Sequence, residues 1–149
     1  MASGSSTLRF ETTHENYSSA ARRHLHDART LLDAGRSDNA AYLAGYVIEC
    51  SLKKLLEIHG HGAREYSHDI QRMSGRALSL AAVLSPGATR YRIDVIPELQ
   101  EVVSFWRSDQ RYLPTGAIVG GATLVQVATQ IYEQIMVEAI LDGNGALHP

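Results

Sequence analysis

The segment Asn39 to Glu57 (NAAYLAGYVIECSLKKLLE) constrains the fold more than any other, because it is apolar over most of the circumference of a helix. At the helical period of about 100° per residue, Tyr42, Tyr46, Glu49 and Lys53 fall within an arc of about 60°. Outside that stripe only Ser51, Lys54 and the two end residues are polar. Such a helix is expected to be mostly surrounded by protein, and its polar stripe either meets partner groups or lines a cavity.

The rest of the chain supplies the elements to surround it. Residues 1–15 are Ser/Thr-rich and unpatterned, which predicts a flexible leader ahead of a single domain over 16–149. Tyr17, Ala20, Ala21, His24, Leu25, Ala28, Leu31 and Leu32 recur at steps of three and four, so a first helix is expected to run from Asn16 to Gly35. Ser37 or Asp38 can cap the central helix, which should stop near His59 before Gly60 and Gly62. Two long helices joined by so short a turn pack antiparallel. Ser67 is a candidate cap for a third helix carrying Ile70, Met73, Ala77, Leu80 and Leu84, closed by Ser85, Pro86 and Gly87. Pro97 suits the first turn of a fourth, with Leu99, Val102, Val103 and Trp106 facing inward. Leu124, Val127, Ala128, Ile131, Ile135 and Ala139 define a long fifth helix ended by Gly143. No stretch alternates as a strand would. The fold class is therefore all-α, an antiparallel bundle of four to five helices.

Composition narrows the functional classes. A chain of 149 residues can bury one core without staples. No apolar run approaches the ~18 to 20 residues of a membrane span. The first ten residues (MASGSSTLRF) lack the apolar centre of a signal peptide, and the lone Cys50 suits a reducing compartment, so a cytoplasmic location is expected. Net charge is −2 with histidines neutral, which gives no overall attraction to nucleic acid. Any RNA contact requires a local patch. Twelve arginines against two lysines are explained by genome composition ahead of selection.

Three stretches resemble the HEPN domains, helical bundles often encoded beside nucleotidyltransferases in toxin and antitoxin pairs. HLHDARTLLDAGRSDNAAYLAGYVIECSLKKLLE is similar to the first two helices of that family, SHDIQRM to the entry of its third, and WRSDQRYLPTG to its aromatic and Arg-Tyr segment. The resemblance covers about Asn16 to Asp142. It implies a homodimer that binds a nucleotide, RNA or a protein partner, the last being a nucleotidyltransferase, within a toxin–antitoxin or defence-type system.

The ribonucleases of that family place a His after an Arg with four to six residues between them, where His moves the proton of a ribose hydroxyl and Arg stabilises charge on phosphate. Counting on from Arg107 gives Tyr112, Leu113 and Pro114, and from Arg111 gives Gly116, Ala117 and Ile118. The literal match, Arg9 to His14, lies in the leader. The sequence therefore leans away from an enzyme. The alternatives are a metal-independent RNase with a variant site built from Arg107, Arg111 and Tyr112, or a purely structural adaptor.

Binding candidates fall into two groups. His24 and Asp27 stand one turn apart where they can face Tyr42, Tyr46, Glu49 and Lys53, a set able to stack a base and hold a phosphate. The simpler role of the stripe is a satisfied polar network in which Glu49 pairs with Lys53 four residues on. Trp106, Arg107, Arg111 and Tyr112 combine positive charge with stacking planes. The simpler role there buries Trp106 and pairs the arginines with acids or a second subunit. No metal or cofactor is expected: His59, His61 and His68 are close in sequence, but flexible glycines surround His61 and no cysteine accompanies them, so His68 reads as a first-turn helix residue. Gly116, Gly120 and Gly121 read as a connecting loop, since they match no phosphate-loop pattern.

Overall fold

A computed structural model describes residues 6–12, 14–60, 62, 64–83, 92–141 and 143, with no side-chain account of 81–83. Helices α1 (Tyr17–Asp33), α2 (Ser37–Ile58), α3 (Ile70–Val83), α4 (Leu99–Phe105) and α5 (Gly121–Tyr132) carry the fold. A π-helical turn, Glu133–Val137, continues α5 into a last short helix, α6 (Glu138–Leu141). There is no strand among the described residues. The all-α bundle expected from periodicity is what forms. No described helix is long and apolar enough to cross a membrane.

The central helix is enclosed as its apolar circumference requires. Ala40, Ala41, Ala44, Val47, Ile48, Leu52, Leu55 and Leu56 are all essentially without solvent exposure. α1 packs along α2, and α5 and α3 cover its other sides, while α4 bridges α3 and α5. Burying a Leu, Ile or Val side chain contributes roughly 1.5–3 kcal/mol, so enclosing both flanks of one helix accounts for much of the driving force.

Several helix ends differ from their sequence signals. The Asn16 side chain accepts the Ser19 amide at 3.0 Å and starts α1 as expected. Ser37 and Asp38 do not cap α2: Ser37 is already helical, the N-cap is Arg36, and no side chain bonds the first amides. Asp38 instead accepts the Gly116 amide at 2.6 Å and ties the loop before α5 to the first turn of α2. Asp69, not Ser67, caps α3, accepting the Arg72 amide at 3.0 Å. Ser67 adopts a left-handed conformation (φ 50°). Pro97 precedes rather than occupies the first turn of α4, because Glu98 is left-handed (φ 62°) and the helix starts only at Leu99. The closing signal of α3 at Ser85, Pro86 and Gly87 lies outside the described residues.

Two glycines let neighbours approach the backbone. A Cβ at Gly121 would stand 2.8 Å from the Ser37 carbonyl oxygen, so α5 begins against the start of α2. At Gly45 a Cβ would fall inside the indole of Trp106. Trp106 lies just past α4, is 2 % exposed, and donates its indole N–H to the Tyr42 carbonyl at 3.2 Å. Gly45→Ala should therefore cost about 3 kcal/mol by overpacking, read as a lowered urea midpoint at unchanged slope, and Gly45→Ala with Trp106→Leu should be more stable than Gly45→Ala alone.

Candidate functional site

The polar stripe of α2 meets partners along its whole length, and the partners come from three other segments. At its lower end Glu49, whose side chain is 4 % exposed, accepts from Lys53 at 2.8 Å. His68, just ahead of α3, lies with Nδ1 2.9 Å and 3.1 Å from the two Glu49 oxygens. A carboxylate can only accept, so Nδ1 carries the hydrogen and Nε2 is the nitrogen left for other partners. The left-handed turn at Ser67 and the Asp69 cap hold His68 in that position. Higher up, the Tyr46 ring packs between His68 and His24, each with ring centroids 5.8 Å away, and edge-on to Trp106 at 5.1 Å.

At the upper end the Tyr42 and Tyr46 hydroxyls are 2.9 Å apart, and Arg111 Nη1 donates to the Tyr42 hydroxyl at 3.3 Å. Burial, then the Tyr42 hydroxyl, pushes the Tyr46 phenol well above its ordinary pKa. The bond to Tyr42, then that to Tyr112, raises Arg111 further, so its charge is fixed at any working pH. The Arg111 guanidinium also sits 4.9 Å from the centre of the Tyr112 ring. Burial, then the Arg23 charge, lowers the pKa of His24.

The residues singled out from sequence divide three ways. Tyr42, Tyr46, Glu49, Lys53 and His24 do come together, as one hydrogen-bonded and stacked network. Asp27 is exposed, and its tie to that network is its charge acting on His24. Trp106 is a buried spacer against Gly45 and presents no free face for stacking. Arg107 and Arg111 line separate clefts. Arg107 is exposed, 3.2 Å from Asp109, and lines a cleft of about 470 Å³ with His68, Ser67 and Ser108. Arg111 lines another of about 420 Å³ with Arg36, Asp38, Tyr42 and Gln110. His61 lies outside the described residues, and His68 is committed to Glu49 rather than to a histidine cluster.

His68, Arg36 and Gln110 are the site residues that sequence reasoning passed over. His68 stands directly before the Asp69 cap of α3, and its contact with Glu49, 19 positions earlier, is one that no local pattern announces. Arg36 and Gln110 carry no local signal either, because 74 positions separate the two cleft walls they belong to. The upper cleft sets two guanidinium groups against one carboxylate at the start of a long helix whose first amides no side chain caps. That arrangement favours an anion. The lower cleft joins an imidazole oriented by a buried carboxylate to an exposed guanidinium, which suits proton transfer beside a negative group. No family model, curated protein or solved structure matches the chain.

Glu49→Ala should cost about 3 kcal/mol, because it strands the largely buried Lys53 ammonium and frees His68; Glu49→Leu combined with Lys53→Met should recover most of the loss in the same denaturation series. The depressed pKa of His24 means that the unfolded chain binds more protons below about 6.5. Stability from this group is thus complete above that pH and lost as pH falls through the folded value. Urea midpoints at pH 7.5 and 5.5 should show His24→Gln gaining on the wild type at the lower pH.

Proposed function

We propose that this protein is a HEPN-like helical module that binds the phosphate of a nucleotide or of RNA in the upper cleft, acting with a nucleotidyltransferase partner in a toxin–antitoxin or defence-type system. The observation that carries the reading is Arg111: its guanidinium is exposed, oriented by the Tyr42 hydroxyl, and faces the uncapped first turn of α2 beside Arg36. A phosphate there would meet two guanidinium groups and helical amides, while the exposed ring of Tyr112 offers a stacking face. Asp38 opposes this with its charge, but its carboxylate is engaged by the Gly116 amide. Binding needs no catalytic group, which agrees with the missing Arg-to-His spacing.

A second reading has one observation in its favour. If the protein cleaves RNA without metal, the variant site is not the trio Arg107, Arg111 and Tyr112, whose two arginines line different clefts. It is His68 with Arg107 in the lower cleft. Nε2 of His68 would take the proton of a 2′-hydroxyl as the oxygen attacks phosphorus, the P–O5′ bond would break, and the proton would pass to the departing 5′-oxygen. Arg107 would hold the phosphate.

Calorimetric titration with a nucleoside triphosphate and with a short single-stranded RNA separates the two. On the first reading one or both bind in low salt, Arg111→Ala weakens binding at least tenfold, and RNA stays intact in the presence of a chelator. Cleavage that survives chelation and disappears in both His68→Ala and Arg107→Ala would replace the first reading with the second.

A further inference from the structure

Around the axis of α1, Arg22 and Arg29 share one flank, within about 20° of each other and about 140–160° from His24. His24 faces Tyr46 and the polar stripe, so the two arginines belong to the other side of the helix. That side meets α5, where Arg29 Nη2 donates to the Thr129 hydroxyl at 3.3 Å. The Thr129 proton is committed to the Val125 carbonyl at 2.8 Å, which leaves its oxygen to accept and so to orient the guanidinium. Tyr132, one turn further along α5, completes the group. It is partly buried, while Arg22 and Arg29 are exposed.

This seam offers donors and no acid. Seven residues, about 10.5 Å along α1, separate the two arginines, yet both charges act on the Tyr132 phenol and no carboxylate joins them. Burial is the largest influence on that phenol and raises its pKa, so it keeps its proton at neutral pH. No hydrogen bond to a protein group acts on it. Neither arginine forms an ion pair among the described residues. Asp33, one turn past Arg29, pairs with neither, and Glu133 lines the groove beside Val95.

An anion received here meets two guanidinium forks and a phenol hydroxyl. A carboxylate has two oxygens in one plane, which a single fork already occupies. A phosphate monoester presents three strong acceptor oxygens in a tetrahedral array and close to two negative charges. We propose that the seam of Arg22, Arg29 and Tyr132 is a binding site for a phosphate dianion, free or as a monoester, with each arginine on one oxygen edge and the Tyr132 hydroxyl donating to the remaining oxygen. The site stands apart from the phosphate-binding reading of the upper cleft, since it uses neither Arg111 nor the first turn of α2.

Titration of the ¹⁵N-labelled full chain at pH 7.5, with sodium chloride holding the ionic strength constant, tests it site by site. Inorganic phosphate and glycerol 1-phosphate are added in separate series. The arginine Nε–H signals of Arg22 and Arg29 should move together and saturate with one millimolar dissociation constant, and the tighter of the two ligands names the source of the phosphate. Arg22→Gln and Arg29→Gln should each weaken binding about tenfold and Tyr132→Phe about threefold, while Arg111→Ala leaves these signals unaffected. Signals that stay still with both ligands, drift without saturating, or respond equally to acetate overturn the proposal. So does unchanged affinity in any of the three seam variants, or loss of the response in Arg111→Ala. Both arginines are exposed and Tyr132→Phe removes only a hydroxyl, so unchanged helical circular dichroism is expected; should Tyr132→Phe unfold, the arginine variants decide alone.

Discussion

A carboxylate in the interior of a small bundle has to be neutralised where it stands, and Glu49 is the place where this fold meets that demand. With 4 % of its side chain exposed, it draws Lys53 from its own helix and His68 from the entry to α3. Losing hydration costs a buried ion several kcal/mol, which only close and geometrically good partners offset. The partners therefore fix the angle at which α3 leaves the loop, and with it the lower cleft. Apolar packing encloses α2, but packing alone tolerates rotation about the helix axis. The stripe removes that freedom, because a turn of one residue would carry Glu49 away from His68.

Trp106 sets the other half of the arrangement. Its indole lies on the bare backbone at Gly45 and is pinned by the Tyr42 carbonyl, so the segment that follows α4 cannot slide along α2. Arg107 lines the cleft that Trp106 itself helps to form, and Arg111 lines a different one. Tyr46 links the residues of the two clefts, packing against Tyr42 of one and His68 of the other. A basic and aromatic run that looks like one surface in the sequence is thus divided between two clefts, with Trp106 buried.

What was legible in the sequence follows from period and punctuation. The 3.6-residue recurrence of Ala21, Leu25 and Ala28, and the apolar circumference of Asn39 to Glu57, gave the helices and their packing, since burial of a repeating face is a local pattern with a global consequence. The pairing of Glu49 with Lys53 was legible too, being four residues apart on one helix. Caps were read less well: Asp38 and Ser67 have the chemistry of caps but serve elsewhere, one closing the loop at Gly116 and one turning the chain ahead of His68. Contacts such as Arg111 with Tyr42, 69 positions apart, and the shared cleft of His68 and Arg107 depend on how helices dock, which no local pattern encodes. The simpler expectation for Trp106, burial, held. That for the arginines held for Arg107, which pairs with Asp109, and not for Arg111, which leans on tyrosines.

Native-state hydrogen exchange along α2 tests the enclosure of that helix most directly. Amides from Ala44 to Leu56 should exchange only through global unfolding, with protection equal to the unfolding free energy and uniform on both flanks of the helix. Exchange of one flank through a smaller local opening, or protection in α2 no greater than in the short α4, would contradict the account.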